Sequence, residues 1–145
     1  MENGWRLCKI AQCKNRQCEG SPVAGSEIII VSVPVADPAR AKAFYADKLG
    51  FALTMDVPDA IGPGKSWITL KPSGGGASVT LVNWFDSMPA GSLRGLVIAM
   101  ADLDAEHARL KAAGVLIDDI KDAPWGRYAT LSDSEGNGLV LQQAR

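Results

Sequence analysis

One half of this chain repeats the other, and that repeat restricts its fold more tightly than any other feature. The triplet Val35-Ala36-Asp37 has a counterpart in Met100-Ala101-Asp102. Each aspartate opens a helical segment that a glycine ends, 13 residues later at Gly50 and 12 residues later at Gly114. Aspartate at such a start accepts a hydrogen bond from an otherwise unpaired helix N–H, and glycine takes up the left-handed turn that stops the helix. Pro38 adds a residue suited to the first helical position.

The elements around these punctuation marks follow from side-chain pattern. The β-branched run Ile28–Val35 predicts a strand buried on one or both faces. Ala39–Leu49 predicts a helix turning Ala43, Phe44 and Leu49 toward a core. Strands are predicted at Phe51–Val57, Trp67–Lys71 and Ser78–Trp84, separated by Pro58, Gly62-Pro63-Gly64 and Gly74-Gly75-Gly76. The triple glycine reads as a hairpin loop, not a phosphate cradle, because no helix follows it. The second half repeats the order: a strand at Arg94–Ala101, a helix at Leu103–Ala113 with Leu103, Leu110 and Ala113 inward, then strands at Val115–Ile120, Arg127–Ser132 and Gly138–Gln142. The expectation is an α+β fold of two tandem βαβββ modules, residues 27–85 and 93–143, within a domain spanning 26–145.

Residues 1–25 stand apart. They carry a net charge of +2 and all three cysteines, Cys8, Cys13 and Cys18, and they end in the linker-like Gly20–Ser26. A five-residue cysteine spacing matches no usual zinc or iron–sulfur pattern and would scatter the thiols around a helix. The stretch is expected to be a poorly ordered extension with incidental thiols. It lacks the apolar segment of a secretory signal, and no run in the chain approaches the ~20 apolar residues of a membrane span, so a cytoplasmic protein is expected. With 15 basic and 16 acidic residues there is no electrostatic reason to expect a nucleic-acid partner. A single histidine excludes sites built on two or three imidazoles of one chain.

The stretch Val35-Ala-Asp-Pro-Ala-Arg-Ala-Lys-Ala-Phe-Tyr-Ala-Asp-Lys-Leu-Gly-Phe51 resembles the first-module signature of the vicinal oxygen chelate superfamily, and Asp133-Ser-Glu-Gly-Asn137 resembles its closing turn. The resemblance runs from Glu27 to Gln142. It implies paired modules whose sheets curve around a cup, which in many members holds a divalent metal. It also implies where ligands of that metal would stand: Ile30, Gly95 and Val140, with a fourth from the end of the first module. Those three are not ligands, and no acid or histidine lies between Asp59 and Asp86. The expected cofactor is therefore none, since backbone and amide oxygens hold such a cation too weakly for Lewis-acid chemistry. Pro124-Trp125-Gly126-Arg127 is similar to the C-terminal stretch of bleomycin-resistance proteins, the metal-free branch that sequesters a drug in grooves at a dimer interface. The sequence departs from that branch in placing no acid after the Trp-Gly pair.

Alternation along the strands extends the candidate site. If Ile30 faces the cup, Ser32 does too, and Gly95, Val97, Val140 and Gln142 line it from the second module. Tyr128 and Thr130 share one parity, as do Thr80 and Val82. Trp67, Trp84 and Trp125 sit at strand ends, where each ring either closes the core edge or forms a wall for a planar ligand. Arg127 either meets a ligand carboxylate or stands as a solvated charge. His107 is expected on an outer helix face, and Asp37 and Asp102 serve as caps. The favoured expectation is a dimeric, metal-free binder of a small hydrophobic or aromatic molecule such as an antibiotic. The alternatives are a glyoxalase-like lyase or dioxygenase-type enzyme with an atypical site built on Arg127, Tyr128 or a cysteine, and a protein-interaction module working through residues 1–25.

Overall fold

The computed structural model describes residues 25–145, so the cysteine-bearing stretch and the expectations attached to it lie outside the described residues. The repeat is realised in three dimensions. Strand β1 (Ile30–Pro34), helix α1 (Pro38–Ala43) and strands β2 (Ala52–Gly62), β3 (Lys65–Lys71) and β4 (Ser78–Val82) form the first unit. Strand β5 (Arg94–Met100), helix α2 (Leu103–Ala112) and strands β6 (Lys121–Ala123), β7 (Gly126–Ser132) and β8 (Gly138–Gln143) form the second. The sheets have the orders β1-β4-β3-β2 and β5-β8-β7-β6, the same order in each half. In both, the outermost pair β1/β4 or β5/β8 is parallel and the rest antiparallel. The fold is α+β, with two mixed four-stranded sheets.

Both helices start as their caps dictate. The Arg40 N–H donates to Asp37 Oδ1 at 3.1 Å, and the Ala105 N–H to Asp102 Oδ1 at 3.0 Å. Gly50 and Gly114 follow the helix ends at φ of +71° and +80°, the left-handed conformation that a β-carbon disfavours. Between Phe44 and Lys48 the first helix widens into a π turn, closed by the Leu49 N–H on the Phe44 carbonyl at 3.3 Å. The buried stripe is Ala41, Tyr45 and Leu49, not Ala43 and Phe44 as expected. A four-residue spacing drifts around a regular α-helix, and the wider turn takes up that drift so all three face inward. In α2, Leu103 and Leu110 are buried as expected, whereas Ala113 is exposed at the C-cap.

The strand expected at Val115–Ile120 is displaced. Leu116–Asp118 makes only an irregular pairing with β7, through the Ile117–Leu131 bridge and the Asp118 N–H on the Thr130 carbonyl at 2.8 Å. The regular partner of β7 is the later strand β6, because the tight Pro124-Trp125 turn pairs Ala123 with Gly126 and so sets the register.

One continuous core contains Val33, Tyr45, Phe51, Leu70 and Leu81 from the first unit and Leu103, Leu110, Leu131, Leu139 and Leu141 from the second. The units are also keyed together by the Asp133–Asn137 turn. Buried Tyr45 donates its hydroxyl to Asp133 Oδ2 at 2.8 Å, and Asn137 Nδ2 donates to the Pro34 carbonyl at 2.8 Å. Burial, followed by the facing Asp133 carboxylate, raises the Tyr45 phenol above its ordinary range, so it remains a donor. Glu135, with a side chain only 1% exposed, accepts from the Ala36 and Asp37 N–H groups at the start of α1 and from Arg40 Nε at 2.9 Å. A carboxylate there also meets the positive end of the helix. Among the described residues no helix is long and apolar enough to cross a membrane.

Candidate functional site

Strand register sorts the side chains into two faces. Val33, Ile68, Leu70, Val79 and Leu81 enter the core, so their alternates stand on the opposite, open face of the first sheet. There Ser32 lies beside Thr80, Thr80 beside Thr69, and Trp67 beside Val57. In the second sheet, Leu96, Leu139, Leu141, Ala129 and Leu131 share the core side. Val97 pairs with Val140, Val140 with Thr130, and Gln142 with Tyr128, all on the open side. The parity that the sequence left undecided is thereby settled: Thr80 and Val82 share the face of Ser32, and Tyr128 and Thr130 the face of Val140.

These open faces are unusually apolar for surface. Ile30 is 39% exposed, Met55 49%, Val57 44% and Val97 53%. Met55 and Val57 did not figure among the sequence candidates, although their alternation with Thr54 and Asp56 along β2 was a usable signal. Two aromatic pairs border the faces. Trp67 and Trp84 stack at 6.0 Å between ring centroids with planes 25° apart. Trp125 and Tyr128 lie 5.7 Å apart at 30°. Each pair sits on its own sheet. The Trp125 carbonyl is held by Gln142 Nε2 at 3.2 Å and Arg145 Nη2 at 3.0 Å, which anchors the turn that carries the ring.

Not every candidate joins this surface. Arg127 projects toward the helix side, where it meets Asp104 of α2 in a two-pronged ion pair at 2.7 and 2.9 Å. That hydrogen bonding holds the Asp104 carboxyl below its ordinary range. Arg127 lies next to Tyr128 in sequence, and strand alternation sends the two to opposite faces. Gly95 presents no side chain but forms a bulge in β5, at φ +76°. His107 is half-buried, and its Nε2 lies 2.9 Å from the Asp118 carbonyl, which requires the proton on that nitrogen.

The residues at the family's metal positions do not fit a divalent cation. Ile30 and Val140 offer alkyl groups and Gly95 only backbone, and among the described residues no three of His, Cys, Asp and Glu converge on one point. What these faces offer instead is apolar surface, aromatic rings, hydroxyls and the Gln142 amide.

Comparison with known proteins agrees with this architecture. Residues 27–141 match the model of the Glyoxalase/Bleomycin resistance protein/Dioxygenase superfamily. The chain belongs to that superfamily. A solved structure of TnmS3, an antibiotic binding protein from Streptomyces sp. CB03234, is 44% identical, with a TM-score of 0.78, covering 85% of this chain and 99% of that one. A glyoxalase/bleomycin resistance protein from the same organism is 45% identical, with a TM-score of 0.72, covering 81% of this chain and 100% of that one. The YetH protein of Bacillus subtilis (strain 168) is 30% identical over 121 residues, 81% of this chain and 98% of its own. Superfamily members are thus present that bind small molecules, and the open faces described above are where this member has the chemistry to do so.

Proposed function

We propose that this superfamily member is a metal-free binding protein that holds a small, planar aromatic molecule, of the kind found among antibiotics, against the open faces of its sheets. The observation that carries this reading is the pairing of Trp67 with Trp84 and of Trp125 with Tyr128 at the edges of otherwise apolar faces. Aromatic walls favour flat ligands by offset stacking, roughly 0.5–1.5 kcal/mol per pair beyond area burial. Similarity to an antibiotic binding protein supports the same ligand class. The exposed apolar side chains further support a homodimer in which the first unit of one copy faces the second unit of another and closes a groove between them. The placement of Arg127 in an ion pair with Asp104 leaves it little reason to act on a substrate.

Tryptophan fluorescence titration with a panel of planar aromatic antibiotics, in buffer containing a chelator, tests the reading. Saturable quenching with unchanged affinity in the chelator is expected, and Trp67→Ala should weaken it about 10-fold, the equivalent of ~1.4 kcal/mol. Absence of quenching by every member of the panel would count against the proposal, as would binding that depends on added metal.

A further inference from the structure

The open face of the second sheet has a polar end that its neutral sequence pattern did not announce. In β5, Arg94 pairs with Gly138 and Leu96 with Leu139, so Gly95 is an extra residue with no partner. Simple alternation would place Arg94 on the core side with Leu96 and Ile98. The bulge instead turns it to the side of Gly138 and Val140, a known use of such insertions. Gly138 is needed for this passage, since a β-carbon there would stand 2.8 Å from Arg94 Cδ. Arg94 Nη1 is fixed by the carbonyls of Gly91, Leu93 and Gly136 at 2.6, 2.8 and 3.1 Å. Its Nε and Nη2 donate to no group among the described residues.

Asp118 arrives from the other side. Its backbone is pinned twice, by its own N–H on the Thr130 carbonyl and by His107 Nε2 on its carbonyl. Its carboxylate accepts the Thr130 hydroxyl. Neither Arg94 nor Asp118 takes part in an ion pair among the described residues. Both line one cavity of about 380 Å³, together with Gly95, Thr130, Ser132 and Val140. That volume is at the small end for ligand pockets, enough for one sugar-sized group. Tyr128 stands on the same face two residues along β7, roughly 7 Å away.

A carboxylate and a guanidinium that share a cavity without pairing offer an acceptor and a donor to one guest. We propose that this cavity is a subsite for a basic, hydroxylated arm of the ligand, an amino sugar or amino alcohol. Its ammonium sits on Asp118 and Thr130, its hydroxyl oxygens face Arg94, and the planar part it is joined to lies toward Tyr128 and Trp125. Charge-assisted hydrogen bonds of this kind are stronger than neutral ones. The inference rests on the proposed aromatic site and names what that site distinguishes.

Calorimetric titration of the full-length protein with daunorubicin, a planar tetracycle bearing an amino sugar, with its aglycone, and with the N-acetylated glycoside tests it. The glycoside should bind at least 10-fold tighter than the aglycone. Acetylation, which removes the cation without altering the protein, should erase that advantage. Asp118→Asn should erase it too while leaving aglycone affinity within about twofold, which also reports that the variant is folded. Equal binding of all three compounds, or an advantage that survives acetylation, would overturn the subsite and leave the aromatic site standing. Failure of all three to bind the unaltered protein would overturn both.

Discussion

At the scale of single residues, the most consequential positions are those that join the two units. Glu135 is the clearest. Burial alone pushes its carboxyl up, but the Arg40 hydrogen bond and the Ala36 and Asp37 N–H groups pull it further down, so its folded pKa lies below the ordinary value. A depressed carboxylate contributes stability above its unfolded pKa and loses it as pH falls through the folded one. Glu135→Gln should therefore cost about 1–2 kcal/mol at neutral pH in urea unfolding. The gap from the unaltered protein should close as pH falls below the ordinary glutamate range; a pH-independent gap would show that charge has no part in the clamp. In the sequence, Asp133 to Asn137 is legible as a turn, yet nothing local shows that its acid reaches across 95 residues to Arg40. The same blindness hid Asp118, whose part in a cavity depends on Thr130 and Arg94.

At the scale of elements, helices were the most legible, because caps and stop signals act within a few residues of the chain. Asp37, Asp102, Gly50 and Gly114 do what their side chains, or lack of one, dictate. Irregularities were not legible. The π turn at Phe44–Lys48 answers the geometry of the core, and the displaced β6 answers the turn at Pro124-Trp125. The bulge at Gly95 belongs here too, since a lone glycine in an apolar strand has many readings and only the pairing of β5 with β8 selects one. Gly95→Ala meets open space, so its cost is backbone strain alone at φ +76°, about 1–2 kcal/mol. A fall in the urea midpoint with unchanged slope is the expected result; an unaltered midpoint would mean that the left-handed geometry at this position is not retained.

At the scale of the whole molecule, the open faces leave Ile30, Met55, Val57 and Val97 partly in water, and a second copy is the partner that the proposed groove requires. Sedimentation equilibrium at micromolar concentration should give twice the chain mass, and Val57→Lys should shift it toward one. A monomer at every concentration would remove the dimer and require each open face to bind ligand alone. The sequence by itself determined the repeat, the helix boundaries, the alternation that assigns Ile30, Ser32, Val97, Val140 and Gln142 to a common kind of face, and the lack of metal-ligating side chains at Ile30, Gly95 and Val140. These depend on residue type and short-range spacing, which the chain carries wherever it folds. Only the tertiary structure decided that Arg127 turns away to Asp104, that Trp67 meets Trp84 and Trp125 meets Tyr128, and that Arg94 and Asp118 share a cavity. Each of those depends on strand register, and register is set by turns, bulges and a shared core that no short window of sequence contains.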